Sequence, residues 1–141
     1  MGLRTNTNFL NAYIELDKVC CEQFGISRGG VTEYINRLLE MRYAPDRAEI
    51  LPKLVNYRNI RNRIAHDEGA LKNISTIAKA DVVWLTHLAK NITKGKDPIS
   101  RYLKKAKRYA VGRVVFLVLK IILALLLCGG VLLVLKHFGI I

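Results

Sequence analysis

Apolar residues recur at spacings of three and four along most of the chain, and the breaks in that spacing divide it into helices. Phe9, Leu10, Tyr13, Leu16, Cys20 and Phe24 form the first stripe and predict an amphipathic helix over residues 6–24, stopped by Gly25. After a turn at residues 27–30, Val31, Ile35, Leu38 and Leu39 define a second helix. It is expected to end at Ala44-Pro45, because the residue before a proline disfavours helical backbone. Asp46 followed by Glu49 resembles a capping box and opens a third helix. Leu51, Leu54, Val55 and Ile64 give that helix its apolar side, with a kink or restart at Pro52 and an interruption at Asp67-Glu68-Gly69. A fourth helix, residues 75–93, is expected to bury Ile77, Trp84, Leu85, Leu88 and Ile92. Lys94-Gly95-Lys96 then breaks the chain, with Asp97 as N-cap and Pro98 at the first position of the last helix. No segment sustains the two-residue alternation of a strand. The predicted fold class is therefore all-α, an antiparallel bundle of four to five helices followed by a single transmembrane helix.

The pattern changes character in that last helix. Residues 99–113 set Tyr102, Leu103, Ala106, Tyr109 and Ala110 against a basic side, and residues 114–135 carry one charge only, Lys120. At about 1.5 Å per residue the apolar run reaches roughly 33 Å, enough for a bilayer with some tilt. A soluble domain of roughly a hundred residues has no core able to enclose such a run on all sides. Lys120 lies less than two turns from the near end and can snorkel toward head groups. The domain plan is a helical bundle over 1–97, a basic juxtamembrane helix over 98–113, a span over 114–135 and a short tail over 136–141.

Charge sharpens this division. The net charge is +12. From Pro98 onward there are eight cations and no acid, so residues 1–97 carry only +4. Most of the basicity lies next to the span, at Arg101, Lys104, Lys105, Lys107, Arg108 and Arg113, where it would meet anionic lipid head groups. Those six cations, against Lys136 and His137 beyond the span, place the bundle in the cytoplasm and the C-terminus outside a single-pass cell membrane. Six residues after Leu135 make the span a tail anchor. Gly129-Gly130 would either let two such helices approach closely or act as a local flex point. Residues 1–11 lack the apolar core of a signal peptide, and Asn6 stands where myristoylation needs Ser or Thr. Cys20, Cys21 and Cys128 give no disulfide or metal framework and read as reduced thiols on a cytosolic face. On that face, the glycosylation sequons at Asn73 and Asn91 are accidental.

One short stretch carries candidate chemistry, Arg61-Asn62-Arg63-Ile64-Ala65-His66 near the end of the third helix. Residues four apart lie about 40° apart around a helix, so Arg58, Asn62 and His66 share a stripe with Arg61 to one side. A phosphodiester presents two oxygens that suit the guanidinium fork. Cleaving RNA needs a base for the 2′-hydroxyl and an acid for the 5′-oxygen, and imidazole can serve as either near neutral pH. No acid cluster is available to hold a metal, so such chemistry would be metal-independent and would need no cofactor. One His cannot fill both roles in one turnover, whereas two copies of His66 across a two-fold axis could, which implies a homodimer. His87 reads as an ordinary imidazole and Trp84 as core, while Tyr102 and Tyr109 pack on the bundle or mark the membrane interface.

The stretch resembles the HEPN superfamily of helical-bundle domains, whose ribonuclease members carry an Arg, a following polar residue and a His four to six positions beyond. Arg61, Asn62 and His66 match that pattern, and residues 57–67 look like the helix that bears it in toxins and abortive-infection proteins. The resemblance implies a metal-independent endoribonuclease acting on RNA as a homodimer, with an antitoxin as a possible partner. In that reading His66 is the acid/base, Arg61 the phosphate clamp and Asn62 a positioning hydrogen-bond donor, with Arg58 and Arg63 as further RNA contacts. Two plainer readings stand beside it. His66 would simply favour the negative end of its helix, and Arg58, Arg61 and Arg63 would form a solvated face paired with Glu49 or Asp67. The protein would then be a non-catalytic tail-anchored interaction or nucleotide-binding module, or a small membrane protein whose bundle assists oligomerisation.

Overall fold

The computed structural model describes residues 2–66 and 76–139, and those residues form helices and turns without a strand. The helices are α1 (Gly2–Phe24), α2 (Gly30–Glu40), α3 (Arg47–His66), α4 (Lys79–Thr93) and α5 (Pro98–His137). They fall into two compact units, Met1–Leu103 and Lys104–Ile141.

In the first unit α1 is the central element, packed most extensively on α4 and next on α2. Its stripe of Phe9, Tyr13, Leu16 and Cys20 is buried as the spacing predicts, while Leu10 and Phe24 are half-buried. Each fully buried aliphatic or aromatic side chain contributes about 1.5–3 kcal/mol, so this stripe is a main source of stability. The core also takes Tyr34 from α2 and Tyr57 and Ile60 from α3, which the apolar spacing did not single out. Leu39, expected inside, is 55% exposed.

The close approach of α1 and α2 depends on Gly30. A Cβ there would lie 2.5 Å from the Cys21 backbone nitrogen and closer still to the Asp17 carbonyl oxygen. Next to it, the Val31 N–H donates to Asp17 Oδ1 at 2.8 Å. An α1 side chain thus satisfies one of the free N–H groups that open α2.

Several expected boundaries move. α1 begins at Gly2, ahead of residue 6. α2 ends at Glu40 rather than at Ala44-Pro45, and the Arg47 Nε–H donates to the Leu38 carbonyl at 2.7 Å, a partner for one of its last carbonyls. The Asp46/Glu49 capping box does not form. Asp46 sits at φ 58°, a left-handed conformation that Asp tolerates better than most residues, and its carboxylate binds Arg101 at 2.7 Å. α3 is one helix through Pro52, with no restart. α4 starts at Lys79 rather than 75, because residues 76–78 are non-helical. There Asp81 Oδ2 accepts the Ala78 N–H at 2.7 Å and its Oδ1 accepts the Tyr57 hydroxyl at 2.7 Å, which ties the start of α4 to α3. Ser75 and the interruption at Asp67-Glu68-Gly69 lie outside the described residues.

Asp97 does act as N-cap. Its Oδ2 accepts the N–H groups of Ile99 and Ser100, both at 3.2 Å, and the hydroxyl of Tyr34 at 2.9 Å. Burial first, then the Asp97 carboxylate, pushes the Tyr34 phenol far above its ordinary range. Gln23 of α1 donates to the Ser100 hydroxyl at 3.2 Å.

The second unit contains the rest of α5. One 18-residue window there has a mean hydropathy of 2.9 with no buried side chain, long and apolar enough to cross a membrane. Lys120, its one charge, rests 4.7 Å from the centre of the Phe116 ring.

Candidate functional site

α3 is held by one buried stripe. Leu54, Tyr57 and Ile60 are buried, and the Tyr57 ring meets Phe9 of α1 and Trp84 of α4 edge-on at 5.5 and 5.4 Å. Trp84 is half-buried, beneath the Lys53 ammonium 5.4 Å from its ring.

Taking Tyr57 as the centre of the buried stripe, at 100° per residue Arg61 lies about 40° away, Arg58 about 100° and Asn62 about 140°, all on one side. These three line one open groove of about 320 Å³. The rest of its lining comes from Tyr13, Ile14 and Asp17 of α1, from Arg28 and Gly29 of the α1–α2 turn and from Thr32 of α2. His66 falls about 180° from Tyr57 and Arg63 about 120° the other way, and both are exposed outside the lining. The structure therefore brings Arg58, Arg61 and Asn62 together and leaves His66 and Arg63 apart from them.

The electrostatics of the groove are one-sided. Among the described residues the ion pairs are Arg37–Glu33, Lys53–Glu49 and Arg101–Asp46, so the guanidiniums of Arg28, Arg58 and Arg61 have no carboxylate partner within 4.0 Å. Glu49, one of the two acids expected to pair with Arg58, Arg61 and Arg63, binds Lys53 at 3.1 Å instead, and the other, Asp67, lies outside the described residues. Among the described residues Asp17 is the one acid in the lining, and its oxygens accept the Val31 N–H and, at 3.9 Å, the Cys21 thiol. Arg61 Nη1 donates to Asn62 Oδ1 at 3.3 Å, so the Asn62 carbonyl holds the guanidinium, an acceptor where a donor was expected. The phenol of Tyr13 is pushed up to about 12 by burial and by Asp17, with Arg61 and Arg58 pulling it down. Among the described residues no three His, Cys, Asp or Glu side chains gather as metal ligands would.

Arg28 and Thr32 went unnoticed in the sequence because they lie some thirty residues from the motif and meet it only through the α1–α2 turn. The one available signal was a basic residue in a Gly-rich turn before a helix, a setting suited to anions. His87 is exposed, 3.2 Å from the Asn91 amide. Tyr102 packs on the core, whereas Tyr109 is 79% exposed.

Against this geometry, the model of one protein family, the family of unknown function DUF6548, matches residues 7–127. The chain belongs to this family. The match runs from α1 into the apolar part of α5, so the family comprises the helical unit together with much of the apolar run. No curated protein and no solved structure matches the chain.

Proposed function

We propose that the protein is a membrane-tethered, metal-independent endoribonuclease of HEPN type that works as a homodimer. The first unit is an antiparallel bundle on the cytoplasmic side, and α5 crosses the cell membrane once, the basic residues before it meeting anionic lipid. Arg58 and Arg61 bind the scissile phosphate, Asn62 holds Arg61, and His66 of each chain supplies one of the two proton transfers. An antitoxin would act by covering the groove.

One observation carries this reading: Arg61 of the motif and Arg58 one turn before it line a groove and have no carboxylate within 4.0 Å among the described residues, on a helix whose last described residue is an exposed imidazole. Guanidiniums left without acids are suited to phosphate. The imidazole is accessible to a second copy and to solvent-borne RNA. The homodimer follows from proton accounting, since each chain offers one His at this place.

The test uses the full chain in detergent with an RNA substrate and excess EDTA. Cleavage is expected, and His66→Ala is expected to lower its rate by at least about a hundredfold, the scale of a lost general acid or base. Equal cleavage by the two proteins would sink the assignment. A second reading rests on the position of His66 outside the groove lining. In it the same arginines bind a nucleotide or RNA without chemistry, and the assay then yields retained RNA and no products.

A further inference from the structure

We infer that Arg28, on the turn between α1 and α2, is a phosphate-binding residue of the arginine groove, so that a bound single strand of RNA crosses from α3 onto α2. The inference deepens the reading above by giving the strand a path, and it depends on that reading only for the identity of the ligand. Arg58 and Arg61 come to the groove from α3 and Arg28 from the turn before α2. Guanidiniums from two separate elements lining one groove can take successive phosphates of one strand, so the strand is not confined to a single helix face.

The turn is also built to hold its place. Gly30 lets α2 press against α1, and Asp17 fixes the first turn of α2 by accepting the Val31 N–H. Arg28 therefore hangs from a position set by α1. It is exposed and has no carboxylate within 4.0 Å among the described residues. Thr32, in the same lining, offers a hydroxyl. Ile14, half exposed on α1, offers an apolar surface on which a base can lie. An RNA strand needs both kinds of contact, cations for the backbone and an apolar face for the base, and a lone phosphate needs only the first.

The measurement is binding of a labelled 2′-deoxy oligonucleotide, which lacks the attacking hydroxyl, to the full chain in nanodiscs of neutral lipid. Arg28→Gln is expected to weaken binding about tenfold, the scale of one charge-assisted hydrogen bond. It should also flatten the slope of log affinity against log salt by about 0.7, one single-strand phosphate contact. Arg28→Lys should keep the slope and lose part of the affinity, because it keeps the charge and loses the fork. Arg42→Gln, an exposed cation outside the groove, should bind as the native chain does.

Unchanged binding by Arg28→Gln with weakened binding by Arg61→Gln would confine the site to α3 and overturn the inference while leaving the RNA reading intact. Equal losses in Arg28→Gln and Arg42→Gln would mean attraction by net charge alone and overturn it too. Inorganic phosphate or glycerol phosphate competing as well as the oligonucleotide, molecule for molecule, would identify a lone phosphate or a lipid head group and overturn the strand. Because the probe cannot be cleaved, a failure of the nuclease assay leaves this outcome unaffected.

Discussion

Tyr13 stands where core and groove meet: it is 5% exposed, yet it contributes to the lining shared with Arg58 and Arg61. Its phenol is pushed from 10.0 up to about 12, chiefly by burial. The phenols of Tyr34 and Tyr57 are raised further, each by burial first and then by the carboxylate that accepts its hydrogen bond, Asp97 or Asp81. The consequence for stability has a definite sign. Below pH 10 the folded and unfolded chains both keep these protons, and the contribution is complete. Between about 10 and 12 the unfolded chain loses the Tyr13 proton first, so stability falls as pH rises through that window. Tyr13→Phe is expected to flatten this alkaline limb by about 1.4 kcal/mol per pH unit. Urea denaturation from pH 9 to 11.5 measures it, and an unchanged slope would mean that Tyr13 ionises freely in the folded chain. In the sequence Tyr13 was legible as core from its spacing with Phe9 and Leu16. Its part in the groove was not, since that depends on which helix faces it.

Among the elements, the α1–α2 pair sets the geometry of the whole site. Gly30→Ala would drive a methyl group into the backbone of α1, which cannot yield as a side-chain tip would. The substitution is expected to cost at least about 2 kcal/mol, the scale of overpacking in a filled core. A thermal or urea midpoint at the native value would show that α2 can shift aside at no cost. Among the described residues helix content was legible, because apolar spacing follows from burial on one side. Helix ends were less so, and each miss has its own cause. The Asp46/Glu49 pair has the spacing of a capping box, but Arg101, far along the chain, takes the Asp46 carboxylate. α4 starts late because Asp81, inside its first turn, is the residue that accepts the Ala78 N–H. The motif helix shows a third kind of limit. Residues 58, 62 and 66 share a stripe by fours, but each step drifts by about 40°, enough to carry the last of them out of the groove.

For the molecule as a whole, the division of charge agrees with the division into two units. The strongly basic residues 104–113 and the apolar run fall in the second unit, and the groove falls in the first. Deleting residues 114–141 is expected to move the protein from the carbonate-resistant membrane fraction to the soluble fraction. A native chain already released by carbonate would remove the membrane from the proposal.

The links at the start of α5 also set an order in time. Arg101 to Asp46, Asp97 to Tyr34 and Ser100 to Gln23 join residues 55, 63 and 77 positions apart. In a chain made from its N-terminus, none of these can close until residues 97–101 have been synthesised. The apolar run begins about a dozen residues later, roughly one to two seconds at ordinary rates of synthesis. The last stitches of the bundle and the first greasy turn of the apolar run thus emerge almost together. If that run enters a membrane as proposed, it does so beside a bundle that has only just become able to close.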